Sequence, residues 1–203
     1  LNLSNSPNST PDNAALYTVV PGATLTFSGG VGTLSGTTFT NGGIVNCGTT
    51  GTLPLNFSGT NLINSGTINS SGGLISGNVT NNGGAIMNTG ADISFTGDVL
   101  TNNGVIQSNS ATTTSGRWLF DKPGTQTLAG NGSMSGIRLN NALTLVNMTE
   151  NHTIRYIRLS IGKLNIGNNT LTIPNVTTGV INPFNGGSET SYINMQNNGA
   201  VVL

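Results

Sequence analysis

One phrase is written three times between Phe57 and Ile106. Phe57-Ser58-Gly59-Thr60 leads to Asn64-Ser65-Gly66-Thr67-Ile68, and Ile75-Ser76-Gly77-Asn78 leads to Asn82-Gly83-Gly84-Ala85-Ile86. Phe95-Thr96-Gly97-Asp98 then leads to Asn102-Asn103-Gly104-Val105-Ile106. In each copy the leading apolar residue stands 11 positions before the Ile, and the copies follow one another at steps of 18 and 20. A looser copy, Leu34-Ser35-Gly36-Thr37 to Asn41-Gly42-Gly43-Ile44, precedes them and is one residue shorter. Self-similarity at about 20 residues marks a solenoid, in which each unit buries its apolar face only by stacking on the next.

The residue types choose among solenoids. A leucine-rich repeat needs a dense Leu ladder and a helical or 3₁₀ segment in each unit. Here each unit holds two or three apolar residues, and Gly, Asn, Thr and Ser make up just over half of the chain. Those residues disfavour helix, whereas Thr, Ile, Val and Phe suit strands. The expectation is therefore an all-β fold, a parallel, right-handed β-helix (β-solenoid) of about 18–24 residues per coil. At about 20 residues per coil, 203 residues give nine or ten coils and a rod of about 45 Å. Equivalent residues of successive coils would lie about 4.8 Å apart. Asn64, Asn82 and Asn102 would then form a stacked ladder at a corner, where Asn tolerates the left-handed region and bonds its amide to the next coil.

Composition narrows function by exclusion. Charged residues are 6 % and the net charge is zero, so nucleic acid, which demands a basic footprint, is not an expected partner. No run of 18 apolar residues is present, and no membrane span is expected. Disorder calls for low hydrophobicity with high net charge, against 34 % apolar residues and none here. The single Cys47 permits neither an internal disulfide nor a cysteine zinc site, and reads as a small, half-buried corner residue.

Along the chain three regions are expected. Residues 1–15 read as an extended arm or linker, residues 16–110 as coils built on the Asn-x-Gly-x-Ile phrase, and residues 111–203 as more regular, more basic coils. All six Lys and Arg residues lie between Arg117 and Lys163. The apolar Ala200-Val201-Val202-Leu203 reads as a strand continuing into a longer parent chain.

Three phrases in the last region carry a family likeness. They are Trp118-x-Phe120 leading to Gly124-Thr-Gln-Thr-Leu128-x-Gly130-Asn-Gly132; Leu164-Asn-Ile166-Gly-Asn-Asn-Thr170-Leu-Thr-Ile173; and Gly186-Gly187-Ser188 with Thr190-Ser191-Tyr192-Ile193. They resemble the repetitive β-solenoid regions of very large secreted and cell-surface, adhesin-like proteins of Bacteroidota-type bacteria. The resemblance implies an extracellular, structural or adhesive protein commonly exported by the type IX route. It implies no catalytic residues.

Chemistry-bearing residues are few. His152, the only histidine, stands in a turn before a strand with no G-x-S-x-G nucleophile nearby, and reads as a solvated loop residue. Asp92 and Asp98 flank one strand, but six acidic residues in all form no recurring pair of the kind glycoside hydrolysis needs. No calcium-loop pattern is present. Thr-x-Thr triplets (Thr24/Thr26, Thr125/Thr127, Thr170/Thr172) do not recur at the coil period. Trp118, Arg155 and Arg158 are the candidate glycan contacts, a stacking platform beside cations. Arg155 and Arg158, three apart, would point to opposite faces of a regular strand.

The expected function is a non-enzymatic extracellular stalk or adhesive segment, without cofactor or metal. Its partners would be itself, end to end, or other cell-surface and matrix components including glycans. The two alternatives are a filament subunit joined by strand addition and a carbohydrate-binding or carbohydrate-cleaving β-helix.

Overall fold

The protein was described from a computed structural model, which covers residues 2–3, 16–29, 32–34, 36–48, 51–108, 115–174, 184–186 and 191–203. The expected 1–15 arm lies outside these residues except for Asn2–Leu3, a short strand paired in parallel with Thr26 and Phe27. Among the described residues there are strands and turns and no helix. They form a β-solenoid of about seven turns.

One coil sets the pattern for the rest. Leu55–Phe57 lies on a first face, Asn61–Asn64 on a second and Thr67–Ser70 on a third. The next coil repeats these as Gly73–Ile75, Asn78–Asn81 and Ile86–Thr89, each paired in parallel with its predecessor. Ile93–Phe95, Val99–Asn102 and Val105–Ser108 follow in the same way. Face three is a ten-stranded sheet running from Asn2–Leu3 to Ala200–Val202. Faces one and two join higher up, where Ile137–Met148 and Ile157–Gly167 each turn the corner as one long strand.

Coils are counted correctly only by register. On face one the partners Gly32, Leu55, Gly73, Ile93, Trp118, Ile137, Ile157 and Phe184 are separated by 23, 18, 20, 25, 19, 20 and 27 residues. Eight register partners on face one make seven turns between Gly32 and Phe184, with further residues of the chain before and after them.

Strand alternation places the apolar residues inside. Phe57, Ile75, Phe95, Phe120, Leu139 and Leu159 are register partners in one inward column of face one, and all are buried. Such burial contributes about 1.5–3 kcal/mol per large apolar side chain. The rings of Phe95 and Phe120 meet edge-on at 5.4 Å, a favourable quadrupole arrangement. On face three the inward column runs Val45, Ile68, Met87, Ile106, Met134 and Ile154. Ile86 of the repeated phrase points outward, its partners being Thr67 and Val105. In that copy Met87 takes the inward place, between Ile68 and Ile106.

Glycine in the Ser/Thr-Gly phrase has a steric cause. A Cβ on Gly59, Gly77 or Gly97 would lie 2.2, 2.1 or 2.2 Å from the carbonyl oxygen of Gly36, Gly59 or Gly77, respectively, one coil earlier. Only hydrogen fits in that column. The column ends where Gln126, fully buried, donates its side-chain amide to the Phe95 carbonyl at 3.1 Å and the Gly97 carbonyl at 2.8 Å. A buried carbonyl left unpaired costs free energy, so Gln126 closes the column that no further Gly extends.

Candidate functional surface

The buried polar spine comes first, because it decides which Asn residues are structural. Asn41, Asn64, Asn81 and Asn102 are fully buried at the end of each face-two strand. Asn41 Nδ2 donates to Asn64 Oδ1, Asn64 Nδ2 to Asn81 Oδ1, and Asn81 Nδ2 to Asn102 Oδ1, each at 2.8 Å. The second hydrogen of each amide goes to a backbone carbonyl of the following coil: Thr67, Ile86, Val105 and, from Asn102, Ser133. Amides aligned in this way polarise one another in a low-dielectric interior.

Asn82 is not a rung of this ladder. It lies one residue past Asn81, in a corner where the Ala85 N–H donates to the Asn82 carbonyl. Its side chain donates outward to Ser65 Oγ at 2.7 Å. The coil holds two more corner residues than its neighbours, so aligning the phrase on its Gly and Ile places the rung one position late. Asn41, at the same register in the shorter copy, is the rung that the expected set omits. The rungs also sit within strands, not in left-handed corners.

A second amide ladder runs along the outside of face three. Asn69 Nδ2 donates to Asn46 Oδ1 at 2.7 Å, Asn88 Nδ2 to Asn69 Oδ1 at 2.6 Å, and Gln107 Nε2 to Asn88 Oδ1 at 2.7 Å. A third links Asn147, Asn165 and Asn194 on face two. With so few charges, ordered amides and hydroxyls supply much of the polar surface.

The expected glycan contacts do not converge. Trp118 is fully buried in the second inward column of face one, between register partners Ile93 and Ile137. Its ring lies 5.5 Å from that of Phe95, and it offers no face to a sugar. Arg155 is exposed at the corner between faces three and one. Arg158 stands on the outer side of face one, in register with Arg138. The spacing of Arg155 and Arg158 says little about opposite faces, because Arg155 precedes the strand.

Three aspartates, Asp92, Asp98 and Asp121, each have their own partner. Asp92 binds Arg117 in a fork, Nε to Oδ1 at 3.1 Å and Nη2 to Oδ2 at 2.7 Å, and also accepts the Arg117 backbone N–H. That hydrogen bond holds the guanidinium pKa above its ordinary value, with burial opposing. The Arg117 guanidinium also lies 5.8 Å from the centre of the Tyr156 ring. Gly136, between the two, leaves the room, since a Cβ there would lie 3.1 Å from Arg117 Cγ. Asp98 pairs with Lys122, and Asp121 accepts from Ser94 Oγ. Asp92 and Asp98 are not a facing pair.

His152 departs from expectation. It opens the strand His152–Ile154, is 2 % exposed, and neither ring nitrogen makes a hydrogen bond. Burial pushes its pKa below the ordinary value, while the Leu128 and Gly132 backbone and the Glu150 charge act in the opposite sense. Cys47 is fully buried rather than half-buried, and desolvation pushes its thiol up to about 12. Among the described residues no three His, Cys, Asp or Glu side chains cluster in a way that could hold a metal. No family model, curated protein or solved structure matches this chain.

Proposed function

We propose that the protein is a non-enzymatic, extracellular β-solenoid that acts as a rigid stalk and presents its sides for adhesion. One observation carries this reading. The buried amide ladder, the glycine column and the apolar columns run through successive coils in register, so the polar invariants of the sequence are spent on stacking. His152 and Trp118 are buried, and Asp92 and Asp98 are held by Arg117 and Lys122. The resemblance to cell-surface adhesin-like proteins exported by the type IX route points the same way. The test pairs small-angle scattering with a polysaccharide panel. A rod-shaped envelope, capture of beads by polysaccharide or matrix-coated surfaces, and no release of new reducing ends are expected. Release of reducing ends would replace this reading with a carbohydrate-cleaving one.

A second reading is end-to-end assembly into a filament. Asn2–Leu3 and Ala200–Val202 end face three, and Leu16–Val19 and Ser191–Met195 end face two, each pairing on one side only among the described residues. Strand addition by a second copy would satisfy both edges. Electron microscopy over a concentration series separates the readings: long uniform fibres support assembly, and short isolated rods at every concentration exclude it.

A further inference from the structure

Arg138 and Arg158 stand side by side on the outer column of face one, directly in register on adjacent parallel strands. Like charges placed so repel. No carboxylate among the described residues lies within ion-pair distance of either, since the two ion pairs are Arg117–Asp92 and Lys122–Asp98. Arg138 Nη2 donates to Asn140 Oδ1 at 2.9 Å, which orients the guanidinium. Arg138 Nε is nonetheless buried without an acceptor, and Ser160 Oγ is buried without any partner. Ser160 is the extra residue of a bulge, since Leu159 pairs with Leu139 and Ile161 with Asn140. It stands two residues beyond Arg158 on the same strand. Bulges re-aim side chains and recur beside sites, and buried donors without acceptors are rare enough to need a cause.

We propose that Arg138 and Arg158 bind the anionic groups of an acidic polysaccharide, a sulfate ester or uronate carboxylate. An oxyanion here would accept from the outer N–H groups of the two guanidiniums and would relieve the arginine repulsion. A polymer fits better than a small anion because the surroundings are an open sheet face. Asn140 lies on one side, and Leu143 and Ile161 are exposed at the adjoining corner, presenting amide and apolar surface to sugar hydroxyls and ring C–H groups. Nucleic acid fits less well, because this column bears no exposed aromatic for base stacking among the described residues and few cations for a phosphate track. The inference deepens the adhesive reading and rests on it.

The test titrates the whole chain with dextran sulfate, polygalacturonate, uncharged dextran and oligothymidylate at two salt concentrations. Wild-type protein is expected to bind one or both acidic polysaccharides, more weakly at high salt, and to ignore dextran. R138Q/R158Q is expected to raise the half-saturating concentration about tenfold or more, and S160A and K163Q to leave it within about twofold. The double variant should melt at the wild-type temperature or above it, because a repulsion is removed. Inorganic sulfate at matched ionic strength should compete. No binding to either acidic polysaccharide, equal binding by R138Q/R158Q, or tighter binding of oligothymidylate would each overturn the proposal. Reducing-end release would sink the adhesive reading alone, leaving the arginine site standing, whereas loss of the arginine effect with intact bead capture would sink only the site.

Discussion

Replacing Asn81 with Ala tests the buried ladder at its centre. The substitution removes the bond accepted from Asn64 and the bond donated to Asn102, both 2.8 Å, and a longer one to the Val105 carbonyl at 3.4 Å. Two net hydrogen bonds are worth about 1 kcal/mol each. One Asn64 hydrogen and the Asn102 oxygen are then left in the interior, each costing about 1–3 kcal/mol. Asn64 keeps its bond to the Ile86 carbonyl, so the lower end of that range suits its side. The expected loss is about 4–6 kcal/mol, against about 0.5 kcal/mol for Asn82→Ala, which breaks one outward bond to Ser65. Urea unfolding measures both. Because stacked coils need not unfold as one unit, amide hydrogen exchange should accompany it, with Asn81→Ala deprotecting the coils on either side. Equal costs for the two variants, or less than about 1 kcal/mol for Asn81→Ala, would mean that the rung is misassigned and that the phrase aligns as the sequence suggests.

Three further outcomes are expected. Gly77→Ala places a Cβ 2.1 Å from the Gly59 carbonyl and 2.7 Å from the Phe57 ring, and should cost about 1–3 kcal/mol or more, while Gly83→Ala, whose nearest neighbour would lie 3.9 Å away, should be neutral in the same melts. His152, with a pKa below the 6.5 of the unfolded chain, binds fewer protons folded than unfolded, so stability should fall as pH drops through about 6.5 towards the folded value; urea midpoints from pH 8 to 5 should show this slope, and His152→Leu should flatten it. Cys47, with a thiol near 12, should ignore thiol reagents at pH 8 until denaturant is added, and fast labelling of the native chain would contradict its burial.

Strand architecture was legible because Gly and Asn recur for reasons of contact between coils, and such contacts repeat at the coil period. Rung assignment was not, because the corner after Asn81 holds two extra residues, and Asn81 and Asn82 are the same residue type. Only the strand register, set by Val79 pairing with Leu62 and Leu100, tells them apart. Trp118 looked like a surface platform because aromatics often serve binding, yet its phrase Trp-Leu-Phe alternates in the same sense as Ile93-Ser94-Phe95. That alignment alone could have placed it inside. His152 is the first residue of its strand, and no local pattern separates a last turn residue from a first buried one.

The uneven coil lengths locate where change is tolerated. Steps of 18 to 27 residues between register partners leave the face-one pairing unbroken through Phe184, so added residues are tolerated between the face-one strands. Columns have no such freedom. An added side chain at a glycine position meets a carbonyl, and a lost amide strands two others. Side chains on the outer columns answer to neither constraint, and there Asn56, Leu74, Ser94, Leu119, Arg138 and Arg158 follow one another in register without a common chemistry. On face one that freedom leaves two arginines in register without a carboxylate partner among the described residues, the charge that the proposed polysaccharide would supply. That is why the sides of the rod, and face one in particular, are where a partner should be sought.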